Sequence, residues 1–156
     1  MGRGRTRKDA EQFEGIKEEG VDDLKHRDVT EQILKAFYTV YHVLGYGFLE
    51  DVYEKALTIE LRKMGLQVVQ QAKIAVYYAG EVVGEYLADL LVAGVVIVEI
   101  KAVRILAEEH EAQLLNYLRA TPYEVGLLLN FGPKPSFKRR VYDNARKATA
   151  TWVQNP

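Results

Sequence analysis

The architecture of this chain follows from residues 86–101, YLADLLVAGVVIVEIK. Two apolar runs flank an Ala-Gly pair, which is the pattern of a β-hairpin with buried strands. Three charged residues interrupt these runs, Asp89 in the first and Glu99 and Lys101 in the second. A buried charge is costly unless it is paired or binds something, so these residues are the first candidates for a functional site. A simple Glu–Lys pair at a strand end is the alternative interpretation.

The length of the hairpin loop decides whether Asp89 and Glu99 share a face of the sheet. A two-residue turn at 93–94 would place them on opposite faces, whereas a three-residue loop, 92–94, places them on the same face. Gly94 favours the longer loop, because its third position takes a left-handed conformation. Two close carboxylates repel each other, which indicates a cation between them. Oxygen ligands in a chain without cysteine favour magnesium or manganese over structural zinc.

Hydrophobic periodicity predicts the order ααβββαβ, a mixed α/β domain with a central sheet and helices packed on it. Residues 1–27 are predicted to be a polar, flexible tail, and residues 28–156 a single domain. The first helix is expected to begin at Asp28, with either an Asp28–Glu31 capping box or Thr30 as N-cap. The other predicted helices are 48–64 and 106–119, the predicted strands are 66–78, 82–91, 95–101 and 125–131, and 137–142 is a strand or the start of a last helix.

Composition restricts the classes of function. The chain of 156 residues has no cysteine, which excludes disulfides, cysteine zinc sites, iron–sulfur clusters and thiol nucleophiles. The formal charge of −1 argues against a generally basic nucleic-acid coat but allows a local basic patch. No apolar run has the length of a membrane span and no signal core follows the basic start, so we expect a cytoplasmic protein without membrane contact.

Polar side chains also occupy two helix faces that are expected to pack inward. Glu50 shares an i, i+3, i+7 stripe with apolar residues of the second helix. A similar stripe on the third helix holds His110, Gln113 and Tyr117, side chains suited to orienting a ligand, a water or a basic group. The alternatives are a first-turn glutamate favoured by the helix dipole and a partly exposed helix edge.

A basic tract near the C-terminus is a candidate nucleic-acid surface. Basic side chains neutralise phosphates and aromatic side chains stack on unpaired bases. A solvated C-terminal face is the alternative. No element for direct base readout is visible, so little sequence specificity is expected. The basic residues are Lys134, Lys138, Arg139, Arg140, Arg146 and Lys147, with Phe137, Tyr142 and Trp152 among or near them.

Three motifs resemble those of known nucleases. Gly47-Phe48-Leu49-Glu50-Asp51-Val52-Tyr53 resembles the signature of the GxxExxY protein family. Asp89 together with Glu99-Ile100-Lys101 resembles the core of the PD-(D/E)XK nucleases, and Gln113-Leu114-Leu115-Asn116-Tyr117 resembles the QxxxY motif of RecB-like exonucleases. The resemblance covers roughly residues 28–142.

The resemblance implies a restriction-endonuclease-like α/β core, in which a central mixed sheet is flanked by helices. It further implies a metal-dependent nuclease that acts on nucleic acid, with DNA favoured over RNA, and a homodimer is compatible with the small size of the chain. Ala88 stands where the superfamily name has proline, but the acid at position 89 carries the chemistry. The iron–sulfur cluster of some RecB-like relatives is excluded, because the chain has no cysteine.

The resemblance also assigns roles to individual residues. Glu50, Asp89 and Glu99 would bind magnesium or manganese with the backbone carbonyl of Ile100, and Lys101 would orient or deprotonate the attacking water. The residues expected to support the lysine and the substrate are Gln113 and Tyr117, and those expected to contact phosphates are His110, Lys138, Arg139 and Arg140.

Two other classes of function compete with a nuclease. One is a nucleic-acid-binding module that keeps the fold but cuts nothing, against which the complete set of Asp89, Glu99 and Lys101 argues. The other is a structural protein whose charges form a buried ion network. A divalent cation should stabilise the fold only if it has a site there.

Overall fold

Five strands form one sheet in residues 25–147, the part of the chain that the computed structural model describes. The strands lie in the order β1-β2-β3-β4-β5, so the predicted mixed α/β architecture is confirmed. The residues at 137–142 form a strand and not a helix. The elements are α1 Arg27–Leu44, α2 Glu50–Lys63, β1 Val68–Tyr78, β2 Glu81–Val92, β3 Val96–Lys101, α3 Glu108–Ala120, β4 Val125–Phe131 and β5 Pro135–Val141, followed by a 3-10 turn, Asn144–Arg146.

The sheet is mixed because one of its four pairings is parallel. β3 runs parallel to β4, and α3 makes the connection between them. The other three pairs are antiparallel. None of the helices in the described range is long and apolar enough to cross a membrane.

The start of α1 differs from both predicted caps. The helix begins at Arg27, and the residue before it, His26, makes no side-chain capping bond. The Thr30 hydroxyl lies inside the helix and donates to the Arg27 carbonyl at 3.0 Å. Glu31 accepts a hydrogen bond from Arg27 Nε at 3.3 Å, so an ion pair takes the place of the expected bond to Asp28.

Two apolar cores cover the two faces of the sheet. α1 and α2 pack on one face, where they meet Val96 and Val98 of β3. α3 packs on the other face, where it meets Ile97. Since side chains alternate along a strand, Glu99 and Lys101 lie on the same face as Ile97, as their spacing predicts.

The hairpin loop between β2 and β3 has the predicted length but begins one residue later. Val92 pairs with Val96, which leaves the three residues 93–95 in the loop instead of 92–94. Gly94 has a φ of +69° and Ala93 a φ of +53°. The shift is explained by these two successive left-handed residues, which make the tight turn themselves and leave residue 95 as the extra one. The observed register still places Asp89 and Glu99 on the same face of the sheet, as predicted.

Candidate active site

The site forms where β2 separates from β3. The paired register ends at Leu90, opposite Val98, and one further step along both strands sets Asp89 against Glu99. The Asp89 carboxylate accepts a hydrogen bond from the Ile100 backbone N–H at 2.7 Å. The Asp89 side chain therefore accepts the hydrogen bond that a backbone carbonyl of β2 would accept if the pairing with β3 continued.

Side chains along β1 and β2 normally alternate between the two faces of the sheet, and this alternation is interrupted at the same point. Leu90 packs in the core under α1 and α2, whereas Ala88, two residues earlier, packs in the core under α3. On the neighbouring strand, Gln71 lies at the matching position and has a φ of +49°, an uncommon conformation for a residue with a side chain. Backbone strain of this kind gathers at functional sites, and here it re-aims the side chains beside Asp89.

Glu99 is held in an environment that disfavours its charge. Burial, reinforced by the neighbouring Asp89 carboxylate, raises the pKa of Glu99 to about 8. The Tyr86 hydroxyl donates to Glu99 Oε1 at 2.6 Å and works in the opposite direction. Burial and the nearby carboxylate also raise the pKa of Tyr86. The site is therefore rich in oxygen acceptors, and burial opposes the negative charge of Glu99.

Lys101 ends β3 on the same face as Glu99 and is half-buried. Within residues 25–147, no ion pair joins these two side chains, although Lys101 lowers the pKa of Glu99 through its charge. The simple strand-end pair is therefore not what keeps them in a buried strand.

Glu50 reaches the site from the first turn of α2. Its Oε2 atom accepts a hydrogen bond from the Ala102 backbone N–H at 3.2 Å, and the side chain is exposed. No group of three acidic, histidine or cysteine side chains within residues 25–147 is close enough to hold an ion. The expected set of Glu50, Asp89 and Glu99 is therefore not gathered into one group: Asp89 and Glu99 are neighbours, whereas the Glu50 carboxylate is bound to the Ala102 N–H. Ile100 contacts Asp89 through its backbone N–H, whereas the expected contact with a metal is through its backbone carbonyl.

The donor set that is present nevertheless fits a hard divalent cation. Asp89 and Glu99 offer adjacent carboxylate oxygens, and their mutual repulsion is what a bound ion would relieve. The cationic Lys101 stands nearby on the same strand.

Three polar residues that the sequence analysis missed link the helix to Asp89. Glu54, one turn after Glu50, is buried and accepts hydrogen bonds from Gln70 at 3.1 Å and from Gln71 at 2.6 Å. Gln71 also reaches Asp89 Oδ1 at 3.4 Å. The signal was present, since an i, i+4 spacing places Glu54 on the same helix face as Glu50.

The three polar residues of α3 have different surroundings. Tyr117 stacks on Tyr86 with ring centroids 3.5 Å apart, so it supports the residue that binds Glu99. His110 Nδ1 accepts the Ala107 N–H at 3.2 Å and closes the first turn of the helix. Gln113 is exposed.

The basic tract, a candidate nucleic-acid surface, is exposed only in part. Arg139 is only 3% exposed and donates to the Lys25 backbone carbonyl at 2.7 Å, so its expected contact with phosphate is corrected: it fastens the chain before α1. Arg140 is half-buried and forms an ion pair with Glu111 at 2.7 Å. Lys147 is buried too. Lys134 and Lys138 are exposed, as a contact with phosphate requires, whereas Trp152 and the predicted tail up to residue 24 lie outside the described residues.

The Gly47–Tyr53 motif has a local structural explanation. Tyr53 is fully buried, and its hydroxyl donates to the Gly45 carbonyl at 2.7 Å and accepts the Phe48 N–H at 3.2 Å. Gly47 has a φ of +114°, which a side chain rarely allows. The glycine and the tyrosine thus shape the loop that delivers Glu50 to the site.

Comparison with known proteins gives the family. The model of the PD-(D/E)XK nuclease superfamily matches residues 27–141, and the chain belongs to that superfamily. The crystal structure of SSO0001 is similar, with a TM-score of 0.46 and 16% identity; the similarity covers 77% of this chain and 61% of that one. This chain therefore spans less than two thirds of that protein. No curated protein matches.

Proposed function

We propose that this member of the PD-(D/E)XK nuclease superfamily is a magnesium- or manganese-dependent nuclease that cleaves DNA with little sequence specificity. The observation that carries the proposal is the pair of Asp89 and Glu99 at the point where β2 leaves β3, with Lys101 on the same strand. Two carboxylates that repel each other do not stabilise a sheet, but together with a lysine they suit the cleavage of a phosphodiester.

Asp89 and Glu99 would hold the ion, with Glu50 as the third carboxylate. A bound divalent cation lowers the pKa of a water and neutralises charge on the phosphate. Lys101 orients or deprotonates the attacking water and offsets the phosphate charge. Tyr86 fixes Glu99 by its hydrogen bond.

Residues around this centre complete the assignment. Tyr117 would act through Tyr86, on which it stacks, and His110 and Gln113, on the same helix, would contact the substrate. Lys138 would contact phosphates from β5, where it is exposed.

The motifs favour a finer placement within the superfamily. The Gly47–Tyr53 signature supports membership of the GxxExxY group, and the Gln113–Tyr117 spacing supports a RecB-like relationship. That relationship is the reason for proposing DNA over RNA. A cytoplasmic location and a homodimer are part of the same proposal.

One observation favours a second candidate, a module that binds nucleic acid without cutting it. Within residues 25–147 the three expected carboxylates do not gather into one group, as a preformed three-ligand metal centre would require. The two candidates differ in whether a phosphodiester breaks when a divalent cation is present.

The test combines metal titration with cleavage. Manganese is titrated calorimetrically into the full chain, and single- and double-stranded DNA and RNA are incubated with magnesium, manganese or a chelator. Asp89→Asn should lose both metal binding and cleavage, because it removes a charge that holds the ion. Lys101→Ala should keep metal binding and lose roughly a thousandfold in rate, or about 4 kcal/mol in the barrier.

Two exposed residues on α1 supply matched controls. Asp28→Asn and Lys35→Ala remove the same charges from a helix that supplies no residue to the site, and should change neither readout. Normal cleavage by Lys101→Ala would show that the lysine has no part in the reaction. Manganese binding without cleavage of any substrate would favour the non-catalytic module.

A further inference from the structure

An exposed apolar surface borders the candidate site and has no role in metal binding. Tyr46 is 62% exposed, Phe48 47% and Leu49 78%, and all three lie in the loop between α1 and α2. We call these three residues the apolar rim. Three large exposed side chains this close in sequence are suited to a contact surface.

The apolar rim is joined directly to the acidic site. Leu49 immediately precedes Glu50, and the Glu50 carboxylate binds the Ala102 N–H, one residue after Lys101. The loop that follows β3 therefore meets the loop that carries the rim. That second loop adds a cation, Arg104, and a further exposed apolar residue, Ile105, which is 81% exposed.

The loop of the apolar rim is held in place by the buried interior. The Tyr53 hydroxyl ties both ends of the loop, at Gly45 and Phe48, through bonds of 2.7 and 3.2 Å. The Phe48 ring also meets the Tyr53 ring edge-on, with centroids 6.0 Å apart. A rim fixed in this way loses little conformational entropy on binding, which is how a preformed contact surface gains affinity.

We propose that the apolar rim takes the bases of unpaired nucleotides, so that the substrate class is single-stranded nucleic acid or an unpaired end. This inference rests on the proposed function, because it assumes that the scissile phosphate lies at Asp89 and Glu99. Bases in a duplex are stacked on one another and present only their edges, whereas an unpaired base offers a flat face to an aromatic ring. The cations Lys101 and Arg104 beside the rim suit the phosphates that accompany such bases.

The test measures how strongly the rim distinguishes single strands from duplexes. A labelled oligonucleotide and the blunt duplex of the same sequence are titrated, in the presence of a chelator, with the full chain and its Tyr46→Ala variant. We expect Tyr46→Ala to weaken binding of the single strand by roughly 5- to 150-fold, the effect of losing one stacked base, and to leave duplex binding unchanged. Tyr46→Phe should keep the ring and the affinity.

Tyr78 supplies a matched control, because it is 71% exposed at the end of β1 and does not belong to the rim. Tyr78→Ala should bind both probes like the parent. Equal losses on both probes, or no loss from Tyr46→Ala, would overturn the proposal. So would sedimentation showing that Tyr46→Ala splits a dimer while strand binding stays the same, since the rim would then be an interface between two copies.

The cleavage assay keeps the two proposals apart. If no substrate is cut with any metal but single-strand binding still depends on Tyr46, the nuclease assignment fails while the rim still binds unpaired bases. If Tyr46→Ala cuts single strands and duplexes like the parent, and binds each of them as tightly as the parent does, the nuclease assignment stands and the role of the rim is refuted.

Discussion

The charge of Glu99 should oppose folding at neutral pH when no divalent cation is present. Its pKa rises from an ordinary value of 4.5 to about 8 in the folded protein, because it is buried beside Asp89. A carboxyl group with a raised folded pKa contributes its full stability below pH 4.5 and loses it as the pH rises toward 8. Between these limits the unfolded chain releases a proton that the folded chain retains.

The structure gives the size of this effect. From pH 4.5 to neutrality is about 2.5 pH units, and about 1.4 kcal/mol for each gives roughly 3 kcal/mol at most, since solvent reaches part of the side chain. Glu99→Gln keeps the shape and can still accept the Tyr86 hydroxyl, but it has no charge to lose. The free energy of unfolding of Glu99→Gln should therefore rise relative to that of the parent as the pH increases.

The assay is urea unfolding of both proteins in chelator, at several values between about pH 5 and about pH 8. A constant offset between them, from any change in packing, cancels when only the pH dependence of their difference is used. Glu85→Gln is the control, since Glu85 lies on the same strand as Asp89 and is exposed. Its difference from the parent should vary much less with pH.

Manganese should then narrow the difference in stability between Glu99→Gln and the parent. At a hundred times its dissociation constant, a ligand of the folded state adds about 2.7 kcal/mol, and this gain should appear in the parent and be reduced in Glu99→Gln. If the free energies of unfolding of the parent and of Glu99→Gln changed in parallel across the whole pH range, the reasoning would be refuted. Burial and Asp89 would then not raise the pKa of Glu99.

Four further substitutions test contacts elsewhere in the fold. Gly132→Ala should destabilise the protein by about 2 kcal/mol or more in urea unfolding, because a Cβ there would collide with the backbone carbonyl of Val103; an unchanged midpoint would contradict the packing. Tyr41→Phe should cost about 1 kcal/mol by the same measurement, since the hydroxyl donates to the Gly132 carbonyl at 2.8 Å. Arg139→Ala should lower the thermal midpoint, whereas Lys138→Ala should leave it unchanged and weaken DNA binding at low salt; the reverse pattern would restore Arg139 as the phosphate contact.

The residues of the candidate site could be found in the sequence because each breaks a local rule. Asp89, Glu99 and Lys101 are charges in strands that are otherwise apolar, and such exceptions to a pattern are visible without coordinates. Gly94 indicated the length of the loop, and this length places Asp89 and Glu99 on the same face of the sheet. Periodicity also predicted the helices and strands, because it records which face of each element is buried.

Other features depend on partners that are distant in sequence. Nothing near Arg139 predicts that its guanidinium binds the carbonyl of Lys25, more than a hundred residues away, so a basic tract looked exposed when part of it is buried. Tyr86 and Tyr117 likewise meet only because α3 packs on the face of the sheet that carries Glu99.

The sequence by itself therefore determined the order of the elements, the buried faces and the identity of the charged residues, because each follows from residue type and local spacing. Only the tertiary structure decided which charges meet. Asp89 binds the Ile100 N–H while Glu50 binds that of Ala102, so the carboxylates are distributed between two backbone amides and not gathered into one group. The physical reason is that a hydrogen bond depends on a position to within a few tenths of an ångström, and such positions are set by the packing of helices on the sheet, not by spacing along the chain.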